Sequence, residues 1–250
     1  MAEMMYRDAV RETIREEMAR DESVVVLGED VVGGMGTAGG PEAIGGIWST
    51  STGLFEQFGA SRVIDTPISE SAIVGTAGGL ALSGKRPVAE LMFADFIGVS
   101  LDQLWNQIGK FRYMFGGKTR CPAVIRMAYG GGYNAAAQHS QCVHQILTGM
   151  PGLKVVMPST PEDVRGLLRT AIRGDDPVMF LGYWESPEAT ERKFIGDWMV
   201  TGDQGVADED AAYVTLGAIA MHGLRQADQQ LGATVLVAGL GLVVFEGEFL

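Results

Sequence analysis

Continuous apolar runs and helix-spaced apolar positions alternate along this chain from its amino end. The run VVVLGED is apolar until it ends in acidic residues, which is typical of a strand buried on both faces of a parallel sheet. The segment before it carries apolar and small residues at the spacing of one helix face. These residues are Tyr6, Ala9, Val10, Thr13, Ile14 and Met18. We therefore predict a helix that leads directly into a buried strand.

Five later segments have the same character as this first buried strand. They are RVIDTP, RPVAELMF, CPAVIRMA, LKVVMPST and DPVMFLGY. The stretches between them are long enough for helices, and such alternation is typical of a mostly parallel sheet with helices on both faces. The predicted fold class is therefore α/β. A glycine-rich loop between Val31 and Ser51 interrupts the pattern, and loops of that length tend to be functional or mobile.

The clearest helix is predicted at residues 161–173. Ser159 or Thr160 can cap it, Pro161 suits its first turn, and Gly174 follows its end. The apolar stripe predicted for this helix consists of Val164, Leu167, Leu168, Ala171 and Ile172.

The character of the sequence changes after residue 184. Residues 185–210 are polar and acidic without clear periodicity, so we predict a linker there. Residues 211–250 then predict one strand, one helix and one further apolar strand. This is an incomplete β-α-β unit, too small to bury a core by itself. Residues 1–184 would form the main domain.

Charge and composition exclude several classes of function. The net charge is -12, with only 19 basic side chains, so the basic footprint of a nucleic-acid-binding protein is missing. The two cysteines, Cys121 and Cys142, have no metal-type spacing and fit a reducing cytoplasm. The amino end does not resemble a signal peptide, and no apolar run reaches about 18 residues. We predict a cytoplasmic protein that binds neither nucleic acid nor membrane.

Three groups are candidates for chemistry. Glu70 follows the strand RVIDTP where a helix of small residues begins, and parallel sheets bind ligands at the carboxyl ends of strands. The alternative is a carboxylate that only stabilises a helix start. Phe96 lies at the carboxyl end of another strand, with core packing as its alternative. His139 lies between two amides in AAAQHSQ, where it is placed for proton transfer or is purely structural.

These segments occur together in an order that resembles one family. They include VIDTPISESA, RPVAELMFADF, LDQLWNQIGKFRYMFGGK, AAAQHSQ and PGLKVVMPST. Over roughly residues 3–184 the chain is similar to the β-subunits of thiamine-diphosphate-dependent 2-oxo acid dehydrogenase components. The resemblance implies a transketolase-like pyrimidine-binding fold. The strings SESA, AELMF and KFRYMFGGK favour the acetoin dehydrogenase branch, while pyruvate and branched-chain relatives share the scaffold.

The resemblance implies roles for the three candidates. Glu70 matches the glutamate that hydrogen-bonds the cofactor's pyrimidine and activates it, and Phe96 matches the aromatic residue that stacks on this ring. His139 matches the histidine that handles the substrate-derived intermediate or its transfer to a lipoyl group. Some relatives also hold potassium through backbone carbonyls. The matching positions here are Ala123, Ala171, Gly174 and Asp176.

The resemblance also implies a partner. No GDG-type segment with a distal Asn is present to hold Mg²⁺ and the diphosphate, so an α-subunit would supply them in an α2β2 heterotetramer. The expected function is an oxidoreductase component that passes an acyl or acetaldehyde unit to the lipoyl acyltransferase core of a multienzyme complex. Residues 211–250 resemble a truncated or divergent start of the transketolase C-terminal domain. The chain could therefore also be a non-catalytic interaction or regulatory paralogue.

Overall fold

The computed structural model describes residues 4–33, 45–131 and 136–183, and four short strands beyond them. The chain divides into two compact units. The first consists of Met1–Ala128 and Val143–Gly182, and the second of Tyr129–Cys142 and Tyr183–Leu250. The first unit thus ends two residues before the domain boundary predicted at residue 184, a boundary that stays a prediction.

A six-stranded sheet organises the first unit, in the order β2-β1-β3-β4-β6-β5. Strand β1 pairs in parallel with β2 and β3, β3 pairs in parallel with β4, and β5 with β6. All six strands were expected from the apolar runs, and the predicted α/β class is confirmed. The strands are β1 (Val24–Glu29), β2 (Val63–Thr66), β3 (Arg86–Phe93), β4 (Val124–Tyr129), β5 (Lys154–Val156) and β6 (Val178–Tyr183).

Helices cover both faces of this sheet. Val24 and Val26 belong to a core cluster with residues of α1 and α6, while Val25 and Leu27, which point to the opposite face, are also buried. Helix α3 packs against β3 and β1. The helices are α1 (Tyr6–Arg20), α2 (Leu54–Phe58), α3 (Glu70–Leu82), α4 (Phe111–Met114), α5 (His144–Thr148) and α6 (Pro161–Arg173). Ala94–Ser100 and Ala137–His139 are 3₁₀ helices, and Gln103–Ile108 is a π-helical turn.

Two strands are less buried than predicted. Strands β2 and β5 form the two edges of the sheet, and both contain residues that are exposed or half-buried. An edge strand has a neighbour on one side only, so solvent reaches residues that a central strand would shield. The prediction of full burial was therefore wrong for these two strands.

Helix α6 has the predicted bounds and start. The backbone N–H of Asp163 donates to Oγ1 of Thr160 at 3.1 Å, so Thr160 is the cap. Helix α1 packs along the buried stripe of α6, and the exposed fraction of Leu167 is 41%. The inclusion of Leu167 in that stripe was wrong. The buried residues of the helix are Val164, Leu168, Ala171 and Ile172.

Helix α1 carries a buried carboxylate that the sequence pattern did not reveal. Glu17 is 1% exposed and accepts hydrogen bonds from Arg20 at 2.8 Å and from Arg173 at 2.7 and 2.9 Å. Burial alone would raise the pKa of Glu17, but these hydrogen bonds and charges outweigh it and hold the pKa of the carboxyl below its usual value. Helices α1 and α6 are therefore joined by ion pairs as well as by apolar packing.

This depressed pKa predicts acid sensitivity at the α1–α6 contact. The ion pairs stabilise the fold fully above the unfolded pKa of about 4.3, and the contribution is lost as pH falls through the lower, folded pKa. A Glu17→Gln variant lacks this contribution. We expect the difference in free energy of unfolding between wild type and variant, measured in urea, to shrink below about pH 4. A difference that is independent of pH would contradict the assignment.

The described strands beyond residue 183 form two antiparallel ladders. Strand β7 (Phe194–Ile195) pairs with β8 (Trp198–Met199) inside the predicted linker, and β9 (Thr234–Ala238) pairs with β10 (Gly241–Phe245). The last apolar run was predicted as one strand, which was wrong, because it forms two strands only two residues apart. The predicted first strand and helix of that β-α-β unit lie outside the described residues. Within the described part of the chain, no helix has the length and apolar character needed to cross a bilayer.

Candidate functional site

Glu70 is the first residue of α3, just after the carboxyl end of β2. Its side chain is half-buried and makes none of the hydrogen bonds or ion pairs found between described residues. A carboxylate at a helix start is stabilised by the helix dipole, and small residues follow it in ESAIVGTAGG. Glu70 therefore combines a favourable position with an uncommitted carboxyl group.

A second carboxylate, Glu29, lies close enough to Glu70 for their charges to interact. It is the last residue of β1, whose carboxyl end lies beside that of β2 because Gly28 pairs with Asp65. Burial raises the pKa of Glu29, and the charges of Asp30 and Glu70 add to this shift. Glu29 was not among the predicted site residues, although the acidic end of VVVLGED was a usable signal.

Asp65 lies at the same carboxyl ends of β1 and β2, and its side chain has a structural partner. Its Oδ1 accepts a hydrogen bond from the backbone N–H of Val32 at 2.7 Å. Burial raises its pKa, against this hydrogen bond, and the charge of Asp30 raises it further. Acidic side chains thus crowd the carboxyl ends of β1 and β2. Acidic side chains in this position suit a ligand that shares a proton with an acid, and they repel an anion.

Phe96 lies on the short 3₁₀ helix Ala94–Ser100, which begins where β3 ends. This helix packs against α3, and Oγ of Ser71 donates to the carbonyl of Val99 at 2.6 Å. Since Ser71 follows Glu70 directly, the bond ties the start of α3 to the helix that carries Phe96. The structure therefore brings the elements that carry these two predicted site residues together.

An aromatic series continues from Phe96 into the core. The ring of Phe96 meets that of Phe93 edge-on at 6.0 Å between centroids, and Phe93 meets Trp48 at 4.9 Å. Trp48 belongs to the end of the glycine-rich loop, and its Nε1 donates to the carbonyl of Met92 at 3.1 Å. Sequence reasoning missed Trp48, since no periodicity marks a residue in such a loop.

A buried ion pair lies beneath the same loop. Nε of Arg126 on β4 donates to the carboxylate of Glu90 on β3 at 2.7 Å. Nη2 of Arg126 contacts the same carboxylate and also donates to Oγ1 of Thr50 at 2.9 Å. Both charged residues are at least 95% buried. Burial raises the pKa of Glu90, although Arg126 and Thr50 act against it. The sequence carried a signal for this pair, because Glu90 interrupts the apolar run RPVAELMF and Arg126 interrupts CPAVIRMA.

His139 belongs to the second unit, at the end of the 3₁₀ helix Ala137–His139. It is half-buried, and its backbone N–H donates to the carbonyl of Ala136 at 3.4 Å, which also accepts from Oγ of Ser140 at 2.7 Å. Half of the preceding YGGGYN segment, residues 132–134, lies outside the described residues. Glu70 and Phe96 belong to the first unit, so the approach of His139 to them stays a prediction.

Comparison with known proteins identifies the family. The family description "Transketolase, pyrimidine binding domain" matches residues 2–182 of this chain. The chain belongs to this family. The resemblance inferred from the sequence motifs is thereby confirmed.

Several β-subunits are similar to this pyrimidine-binding chain. It is 48% identical over 226 residues to the acetoin:2,6-dichlorophenolindophenol oxidoreductase subunit beta of Cupriavidus necator, covering 88% of this chain and 65% of the relative. Identity to the 2-oxoisovalerate dehydrogenase subunit beta of Bacillus subtilis is 42%, covering 92% and 68%. A second acetoin relative, from Bacillus subtilis, is 50% identical, but the chain spans only 51% of its length. The chain thus covers about half to two thirds of these relatives.

Two solved structures share the fold of the pyrimidine-binding domain. A split-gene transketolase, described as an inactive beta4 tetramer, aligns with a TM-score of 0.54 at 23% identity, covering 73% of this chain and 52% of that one. A transketolase from Campylobacter jejuni aligns at 0.53 with 14% identity, covering 72% and 26%. At these identities the likeness shows the fold alone.

Three of the four carbonyls predicted to hold potassium in this pyrimidine-binding domain already accept hydrogen bonds. Ala123 accepts from the backbone of Val178 at 2.9 Å, and Gly174 accepts from the Arg86 guanidinium at 2.5 Å. Ala171 accepts from the backbone N–H of Gly174 at 3.2 Å. A positive guanidinium at one candidate ligand opposes a cation there, so the fit is poor. The described residues also contain no cluster of three or more His, Cys, Asp or Glu suited to a metal.

Asp176, whose backbone carbonyl is the fourth predicted ligand, has its side chain in ion pairs. Its carboxylate accepts from Lys154 at 2.8 Å and also pairs with Arg112. The hydrogen bond from Lys154 is the main cause that holds the pKa of Asp176 below its usual value, and Arg112 adds to it. The carboxylate is thus committed to surface ion pairs, and the potassium site stays a prediction.

Proposed function

We propose that this chain is the β-subunit of a thiamine-diphosphate-dependent acetoin dehydrogenase and binds the aminopyrimidine end of the cofactor. The observation that carries the proposal is the junction in which Ser71, beside Glu70, is tied to the short helix that bears Phe96. Similarity to acetoin β-subunits supports the substrate class. The 42% identity to a 2-oxoisovalerate dehydrogenase subunit supports a branched-chain 2-oxo acid as the alternative, and a pyruvate dehydrogenase subunit is similar at 37%.

The residues at this junction fit an aminopyrimidine. A carboxyl group that makes no hydrogen bond or ion pair with the described residues can share a proton with a ring nitrogen, and a half-buried aromatic ring can cover a flat heterocycle. When bound, thiamine diphosphate supplies a nucleophilic carbon that adds to a carbonyl substrate. Glu70 would hold the proton on the ring nitrogen opposite the amino group. This favours the tautomer in which the amino group can serve as a base.

Glu29 places a second acid close to Glu70. Burial is the main cause that raises the pKa of Glu29, and the charges of Asp30 and then Glu70 add to it. The protonated form of Glu29 is thus favoured beside the position proposed for the ring nitrogen.

His139 would act later in the reaction. Its imidazole could carry a proton to or from a substrate-derived group or an incoming lipoyl thiol. Mg²⁺ and the diphosphate would be held by an α-subunit in an α2β2 heterotetramer in the cytoplasm. The lipoyl acyltransferase of a multienzyme complex would accept the product. The net charge of -12 supports this division, because a diphosphate would be repelled by this chain alone.

Co-expression with the α-subunit tests the function. We expect the assembled complex to reduce 2,6-dichlorophenolindophenol with acetoin, in a reaction that requires thiamine diphosphate. By calorimetry, the isolated chain should bind the cofactor at least about 100-fold more weakly, because hydrogen bonds to the charged diphosphate contribute about 1.5–3 kcal/mol each. Pyruvate and 2-oxoisovalerate, assayed in parallel, distinguish the alternatives.

Two results would contradict the proposal. A folded complex that turns over none of these substrates would exclude the enzymatic function and leave the alternative of a non-catalytic interaction or regulatory subunit. Equally tight binding of the cofactor by the isolated chain would contradict the division of the site between two subunits.

A further inference from the structure

Strand β3 contains one extra residue just before the helix of Phe96. Glu90 pairs with Arg126 and Phe93 pairs with Ala128, so three steps along β3 match two steps along β4. This is a β-bulge, and Met92 within it has a φ of 26°, a value rare for a residue with a side chain. Bulges of this kind redirect side chains next to binding sites.

The bulge reverses the side-chain alternation at the end of β3. Residues three apart in a regular strand point to opposite faces of the sheet. The partners of Glu90 and Phe93, however, are two apart on β4 and share a face. Phe93 therefore points to the same face as the buried Glu90. Without the extra residue, the ring of Phe93 would leave that face and lose its contact with Trp48.

Trp48 holds the bulged segment in this arrangement. Its Nε1 donates to the carbonyl of Met92, the residue with the unusual φ, and its ring packs edge-on against Phe93 at an interplanar angle of 64°. Trp48 is 2% exposed and Phe93 is 6% exposed, so neither ring can touch a ligand from solvent. Phe93 in turn meets Phe96 at an interplanar angle of 78°.

We propose that Trp48 and Phe93 are positioning residues that fix the ring of Phe96 for contact with the cofactor's pyrimidine. The inference rests on the proposed function of Phe96 and adds the residues that orient it. Trp48 secures the Met92 backbone, the bulge places Phe93 on the face of Trp48, and the edge of Phe93 limits the rotation of Phe96. A ring held in one orientation loses less conformational freedom on binding a flat ligand.

Matched Phe→Leu variants test this chain of contacts. Phe93→Leu removes the ring that contacts both Trp48 and Phe96. Phe180→Leu removes a fully buried ring of the same size from β6, outside this aromatic series. In the assembled complex, calorimetry should show that Phe93→Leu weakens thiamine diphosphate binding about tenfold. Phe180→Leu should leave binding unchanged within about twofold, even if both variants lower Tm equally. Trp48→Phe, which keeps a ring but removes the N–H donor, should weaken binding by a smaller factor.

A double variant separates positioning from general destabilisation. If Phe93 acts through Phe96, then Phe93→Leu should have no further effect on binding in a Phe96→Leu background. Equal weakening by Phe93→Leu and Phe180→Leu, or full additivity with Phe96→Leu, would overturn the inference. Binding that only Phe96→Leu weakens would overturn the inference and leave the proposed function intact. Absence of cofactor binding by the wild-type complex would instead overturn the proposed function itself.

Discussion

A Glu70→Gln variant of the assembled complex is expected to lose about 10²–10⁴ of its turnover, the range typical of a positioned acid or base. Glutamine has nearly the same shape and can still hydrogen-bond a ring nitrogen. It cannot supply an acidic proton, so the tautomer that serves as the base would not be favoured. Folding and assembly should be preserved because the side chain of Glu70 makes no hydrogen bond or ion pair with the described residues.

The measurement is the proton–deuterium exchange rate at the thiazolium carbon of the bound cofactor, followed by NMR. Glu162→Gln is the matched control. Glu162 is exposed and also lies in the first turn of a helix, so this change removes a comparable interaction with a helix dipole and no proposed chemistry. An exchange rate in Glu70→Gln equal to that of wild type would remove Glu70 from the activation step.

The largest effect on stability is expected at Arg126. Replacement by methionine keeps most of the aliphatic volume but leaves the Glu90 carboxylate buried without its cation. Breaking a buried pair in this way costs about 3–5 kcal/mol. Urea unfolding of the complex should show this loss, together with a pKa of Glu90 raised further than in wild type, since the lowering effect of Arg126 is removed.

Two comparisons define the origin of that loss. An Arg126→Met/Glu90→Leu double variant should recover most of the stability, because the isolated buried charge is gone. Arg120→Met, at an exposed ion pair with Asp175, should change stability little. A loss in the double variant as large as that in Arg126→Met would show that packing, and not the unpaired carboxylate, determines the effect.

The sequence was sufficient for the features that depend on local pattern. Continuous apolar runs identified the strands, and Thr160, Pro161 and Gly174 marked helix α6 because capping chemistry is local. The junction of Glu70 with the helix of Phe96 was also accessible, because the carboxyl ends of parallel strands meet at one edge of the sheet.

Features that depend on contacts between distant segments could not be predicted from the sequence. The bulge at Met92 exists only in the pairing of β3 with β4, so nothing within RPVAELMF indicates it. Glu17 looks like a solvent-facing residue of an acidic helix until the arginine of α6 that neutralises it is known. Trp48 lies in a loop whose glycines obscure periodicity. Each of these residues gains its role from a partner more than 30 positions away.

The ion pair between Glu17 and Arg173 also bears on the order in which the chain can fold during synthesis. The two residues are 156 positions apart. At about 5–20 residues per second, a ribosome needs on the order of ten seconds or more to add the second after the first. Strands β1, β2 and β3 can pair in that interval. During the same time Glu17 of α1 can pair only with Arg20 of its own helix. Docking of α1 on α6 is therefore a late step that closes the first unit only after nearly all of it has left the ribosome.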